Sequence, residues 1–346
     1  MIIGGAPMLF SVVEEAAASQ YLAVAHNTSP YVTAYPWSSA GYGTKFDDPA
    51  TLPPSIARGV AFSPAVTEIA IAHSSSPYIT AYPWSAAGFG TKFTDPATLP
   101  TNVGYSVAFS PAGTEIVVGH ASGVNSTAYP WSSAGFGTKF TNPSTGLGGH
   151  GFGVAFSPAG TEVAFSNNTA NFVGAYPWSS SGYGTKFTNP ATLPTGAGYG
   201  VSFSPAGTEL VIAHTTLPYV TAYPWSSSGY GTKFTDPDTL PTGNGKGVAF
   251  SPAGTELAIS HTATPFITVY TWSSSGFGTK FDNPGTAVTG VNGLDVAFSA
   301  TGTEIAISSS SSPWVHAYPW SSSGFGTKFT NPDTIPTGSG NGVAFS

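Results

Sequence analysis

The sequence predicts an all-β fold, a seven-bladed β-propeller with four antiparallel strands per blade, on three observations. The motif A-Y-P-W-S, once V-Y-T-W-S, recurs with its tryptophan at Trp37, Trp84, Trp131, Trp178, Trp225, Trp272 and Trp320, at spacings of 47 residues and once 48. A period of about 40–50 residues is the range of propeller blades. Each period holds four short strand-like stretches separated by Gly- and Pro-rich turns, and outside residues 12–18 no window keeps a helical period free of Gly and Pro. Seven periods counted back from Ser346 begin at Ala17, one full circuit.

The second copy justifies the elements in order. Residues 59–63, G-V-A-F-S, form a short apolar first strand, and S-P-A-V-T turns the chain at Pro64. I-A-I-A-H, 69–73, is apolar up to its histidine, the pattern of a strand buried on both faces. After the loop S-S-S-P, residues 78–84 (Y-I-T-A-Y-P-W) are rich in aromatic and β-branched residues and make the third strand. S-A-A-G-F-G reads as a turn and T-K-F-T, 91–94, as the fourth strand. D-P-A-T-L-P-T carries the turn chemistry that leads to the next blade.

The first copy has its second strand at 21–26 but no first strand, because Glu14 and Glu15 fall where other blades have Ala and Phe. The C-terminal G-V-A-F-S, 342–346, matches the missing strand. The ring is therefore expected to close by pairing these residues beside 20–26, which removes two open sheet edges. Residues 1–16 are then an N-terminal arm and residues 17–346 the propeller.

Composition excludes several function classes. Charged residues are 7% of the chain and the net charge is −7 with nine basic residues, which argues against a nucleic-acid surface. With 14% aromatic and 40% hydrophobic residues the chain can bury a large core, so it is not read as disordered. There is no cysteine, hence no disulfide, thiolate metal site or thiol nucleophile. No apolar run is long enough to insert in a membrane, and the N-terminus lacks the basic region of a signal peptide. No cofactor is expected.

Residues 60–73 followed by 78–84 resemble the first three strands of WD40-type propellers. Tyr82 stands where that family has the Trp of its Trp-Asp pair, and Pro83 replaces the Asp. A Gly-His dipeptide occurs after a fourth strand once, at Gly149-His150. The family's Asp–His network is thus missing, and none of its functional residues carries over. The charge-poor, near-identical A-Y-P-W-S and G-F-G-T-K-F repeats also resemble phage-encoded virion propellers. That resemblance implies a particle-exposed decoration or tail-associated protein, with other virion or assembly proteins as partners and a virion or extracellular location.

Repeated residues supply the candidate sites. Histidine ends the second strand at His26, His73, His120, His214 and His261. Zinc ligands lie about 2.1 Å from their metal, and blades about 10 Å apart cannot share one, so these histidines are not metal ligands. They are read as hydrogen-bonded to a neighbouring loop or as part of a ligand site with the aromatics that start the third strand: Tyr31, Tyr78, Phe172, Tyr219, Phe266 and Trp314. Such aromatics either pack between blades or form stacking platforms for cell-surface glycans. Glutamate opens the second strand in six blades, from Glu68 to Glu304, and by strand order shares a rim with the repeated lysine in solvated ion pairs. G-F-G and G-Y-G read as tight turns tucked against the blade.

Active sites combine unlike groups at one point, whereas seven near-copies place like groups at equal angles around an axis. Arg58, His150, Lys246, Asp295, Trp314 and His316 break the symmetry but form no triad or ligand spacing in the sequence. The sequence therefore predicts no catalytic residue and a non-enzymatic structural or interaction module, docked through Met8, Leu9, Phe10, Val12 and Val13 of the arm. The alternative is a multivalent glycan-binding lectin. A propeller hydrolase or lactonase, the third class, would need a metal constellation that the sequence does not show.

Overall fold

The computed structural model describes residues 20–169, 171–288, 290 and 292–346. The arm and its apolar docking residues lie outside them. Among the described residues the chain forms seven four-stranded antiparallel sheets and no helix. The ring closes as the sequence predicts. Strand β28 (Gly340–Phe345) pairs antiparallel with β1 (Gln20–His26), with Val343 opposite Val24 and Phe345 opposite Leu22, and the first sheet continues through β2 (Val32–Ser38) and β3 (Gly41–Tyr42).

The second blade shows the common plan. It runs from the inner strand β4 (Ala57–Phe62) through β5 (Glu68–His73) and β6 (Ile79–Ser85) to the outer β7 (Gly88–Phe89). Ile69 to His73 on β5 are fully buried, because the second strand of each blade lies between neighbouring sheets. The cores sit between blades. One of them joins Tyr21, Ala23 and Val32 of the first blade to Ile69, Ile71, Tyr82 and Trp84 of the second. Trp84 meets Tyr21, Phe46, Phe62 and Phe89 edge-on, with ring centroids 4.9–5.3 Å apart. Tyr82, in the position of the WD40 tryptophan, donates its hydroxyl to the Thr51 carbonyl of the inter-blade loop at 2.7 Å.

The outer strand corrects one expectation. It is the two-residue Gly88–Phe89 pairing with Trp84 and Ser85, within the stretch read as a turn; the T-K-F-T that follows makes no continuous ladder, although its Phe93 N–H donates to the Ala81 carbonyl of β6 at 3.0 Å. Proline explains why. Gly90 donates to the Pro83 carbonyl, but Pro83 has no N–H to return, so the ladder stops. The sixth blade carries Thr271 in place of this proline, and there the outer strand β23 (Gly276–Lys280) extends until Lys280 pairs with Tyr270.

Candidate functional site

The innermost strands of the blades surround the axis, and where they begin lies a cavity of about 520 Å³. Six of the seven inner strands open with the pattern small–x–small–Val, and the seventh with Gly293-Leu294-Asp295-Val296. The small residues are forced by crowding: a Cβ at Gly153 would lie 2.6 Å from the Tyr199 carbonyl oxygen of the next blade, and one at Gly200 2.8 Å from that of Lys246. The residue x is free to differ. Going round from the second blade, it is Arg58, Tyr105, Phe152, Tyr199, Lys246, Leu294 and Asn341, all of which line the cavity. Five blades place glycine and one serine at the next position, and the seventh places Asp295 there, also on the cavity wall. Below, Val60, Val107, Val154, Val201 and Val248 form an apolar collar.

These side chains hold one another in sequence around the axis. The Arg58 guanidinium lies 5.1 Å from the Tyr105 ring centroid, and its Nε donates to Ser74 Oγ at 2.8 Å. Tyr105 meets Phe152 edge-on at 4.6 Å, and Phe152 stacks on Tyr199 at 4.6 Å with the planes 5° apart. The Lys246 ammonium sits 3.5 Å over the other end of this row, on Tyr199. His150 stacks on Tyr105 at 5.8 Å. The Asn341 amide donates to the Ala57 carbonyl at 2.7 Å.

Asp295 is half-buried. Its Oδ1 accepts from the Val296 N–H at 2.9 Å and its Oδ2 from the Val343 N–H on β28 at 3.1 Å. Burial raises its pKa to about 6, against those two hydrogen bonds, which lower it. Burial also lowers the pKa of Lys246 below the usual amine value. Among the described residues neither Lys246 nor Arg58 is ion-paired with Asp295. The cavity therefore presents a carboxylate poised for proton exchange near neutrality beside two cations whose charge is not neutralised by it. Among the described residues no three His, Asp or Glu side chains converge to hold a metal.

The residues singled out by repetition lie elsewhere. His26, His73, His120, His214 and His261 are fully buried, and each Nε2 bonds the hydroxyl of the threonine seven residues on, at 2.8–3.0 Å. Burial pushes all five imidazoles down to about 4. Tyr31, Tyr78, Phe172, Tyr219, Phe266 and Trp314 sit just before the third strand with left-handed φ of 60–72°, where their carbonyls accept from the residue that ends the second strand. None of these lines the axial cavity. The expected Glu/Lys rim pairs do not form. Glu68 Oε2 accepts from Thr67 Oγ1 at 2.9 Å, while Lys45, Lys92 and Lys233 pair with Asp48, Asp95 and Asp236 three residues on. Arg58, Lys246 and Asp295, which the sequence leaves scattered, are brought together. Tyr105, Phe152, Tyr199 and Asn341 escaped notice, although reading one column, the residue two before V-A-F or V-S-F, shows seven copies with six residue types amid otherwise constant text.

No protein-family model and no curated protein matches the sequence. Solved structures of the same fold do. A Bacteroides uniformis protein named as a "putative 6-phosphogluconolactonase" aligns with a TM-score of 0.75 and 14% identity over 95% of this chain and 99% of its own. The periplasmic gluconolactonase of Pseudomonas aeruginosa aligns with a TM-score of 0.71 and 14% identity over 94% and 99%. A Lactobacillus plantarum protein reaches 0.77 at 14% identity over 95% and 99%. At these identities the likeness shows a shared fold. It also corrects the expectation of a non-enzymatic virion component or lectin: similar propellers bear the names of lactone-opening enzymes. The exclusion of catalysis by repeat symmetry fails for a structural reason, since the blades diverge where their inner strands meet the axis.

Proposed function

We propose that the protein hydrolyses a lactone bound in the axial cavity. One observation carries this reading. A carboxylate with a raised pKa and two cations, each peculiar to its own blade at that position, line one cavity of small-molecule size. The names borne by similar propellers support it.

The chemistry needs little more. Asp295, as carboxylate, takes a proton from a water molecule whose oxygen adds to the lactone carbonyl carbon. The charge that develops on the carbonyl oxygen is stabilised by the Lys246 ammonium, strengthened in a partly desolvated site. The bond from that carbon to the ring oxygen then breaks, and the proton held by Asp295 passes to the departing oxygen. The product is a hydroxy acid, which releases one proton on ionising at neutral pH. Arg58 holds the resulting carboxylate or another anionic group.

The test is proton release from a panel of γ- and δ-lactones at constant pH. Turnover above the spontaneous rate is expected, with Asp295→Asn lowering kcat by about 100-fold or more and Lys246→Met by a similar factor. If no lactone opens faster with the protein than without it, or if Asp295→Asn keeps the full rate, the reading is wrong.

A further inference from the structure

The cavity wall is divided by chemistry. Blades three, four and five contribute Tyr105, Phe152 and Tyr199 as a continuous row. Blades six, seven, one and two contribute Lys246, Asp295, Asn341 and Arg58, with Leu294 the apolar x residue of that side. The residue two before each x lies outside the cavity lining and varies in a related way, except that blade two, whose x is Arg58, falls here with the apolar blades. There blades two to five carry Ile56, Val103, His150 and Ala197, and blades six, seven and one carry Asn244, Asn292 and Ser339. His150 extends the aromatic row by stacking on Tyr105. Ile56 is among the few large hydrophobic side chains left exposed, at 36%. Below both levels the valine collar is apolar.

We propose that the lactone taken by this cavity is amphipathic: an alkyl or aryl side group lies against Tyr105, Phe152 and the collar, and the ester faces Asp295, Lys246 and Asn341. A polyhydroxylated sugar lactone fits the wall poorly. Along the aromatic blades, three of the seven, its hydroxyls would meet ring carbon and valine methyls, and polar groups buried without partners are costly. An apolar side group gains from that same surface. The position of the ester rests on the hydrolase reading; the apolar seat does not.

Two measurements separate the two readings. The first is calorimetric binding of ring-opened hydroxy acids, 4-hydroxydecanoate against gluconate. The alkyl acid is expected to bind at least tenfold tighter. Phe152→Asn, which borrows the residue of Asn341 in a sister blade, should weaken it about tenfold and leave gluconate within twofold. Gluconate binding as tightly, no binding of either acid at millimolar concentration, or equal weakening of both by Phe152→Asn overturns the amphipathic assignment. The second is hydrolysis of γ-decalactone against gluconolactone. Selective binding of the alkyl acid without turnover of either lactone would refute hydrolysis and uphold the ligand class. Preferred opening of gluconolactone would do the reverse.

Discussion

A histidine paired with a threonine seven residues on is the repeated polar unit of the interior. The spacing follows from the hairpin: Thr80 pairs with Ile71, two residues before His73 and on the same face of the sheet, so its hydroxyl reaches the imidazole diagonally. Each pair is buried and neutral, and burial places the folded-state pKa near 4, below the 6.5 of an unfolded chain. Between those values the unfolded chain binds more protons. Stability is therefore whole above about pH 6.5 and falls as pH drops toward 4, by up to about 3 kcal/mol per histidine. Asp295 works in the opposite sense, since its raised pKa favours the folded state below pH 4 and loses that contribution as pH rises through 6. Five histidines outweigh one aspartate. Denaturant titrations at pH 7 and pH 5 should show the midpoint lower at pH 5, and His73→Gln should reduce that dependence by about one histidine's share of five. A midpoint independent of pH over this range would contradict the buried-imidazole account. The histidines were visible in the sequence as repeats, and a hydrogen bond to a neighbouring loop was one of the readings it offered; the structure gives each Nε2 a third-strand threonine. Their threonine partners were not picked out, because the pairing depends on register across a loop.

Among the strands, the contrast between Pro83 and Thr271 is a natural substitution experiment. Blade and environment are nearly constant, and the outer strand has two residues with proline and five with threonine. Pro83→Thr is expected to lengthen β7 toward Lys92, slowing amide hydrogen exchange of residues 91–92 by about tenfold, while Gly90, already bonded to the carbonyl at 83, is unchanged. The reciprocal Thr271→Pro should speed exchange at 278–280, and unchanged exchange in both variants would refute the explanation. The closing strand was legible because 342–346 copies the inner strand of every other blade, so its partner was fixed by elimination. The outer strand was misread because T-K-F-T has the better strand composition, while a missing N–H three positions before the turn decides the ladder. Propensity describes single residues; a ladder needs donors on both sides.

For the whole molecule, repetition hid the site. Comparing blades by what they share emphasised histidines, turns and tryptophans, which build the ring. What distinguishes the blades inside the cavity is one column of residues at the axis, together with Asp295 beside it. That column was readable, but its meaning depended on seven positions, 47 or 48 residues apart, meeting in one cavity, which only closure of the ring brings about. Two outcomes follow for Asp295. As a base with a pKa near 6, it should make kcat/KM fall about tenfold per pH unit below pH 6 and level off above it. Asp295→Asn should lower kcat about 100-fold or more while raising thermal stability at pH 7 by about 1–2 kcal/mol, because it removes a partly buried charge from a position where sister blades carry glycine or serine. A variant both less stable and fully active would contradict this assignment.

The separation between constant frame and variable column has an evolutionary and practical corollary. Copies of one 47-residue unit can be duplicated wholesale, then acquire a new specificity through changes at a single letter per copy, with the surrounding hydrogen bonds untouched. Shuffling those seven letters amounts to setting a combination dial. A modest library confined to them would explore many ligand chemistries on one unaltered scaffold.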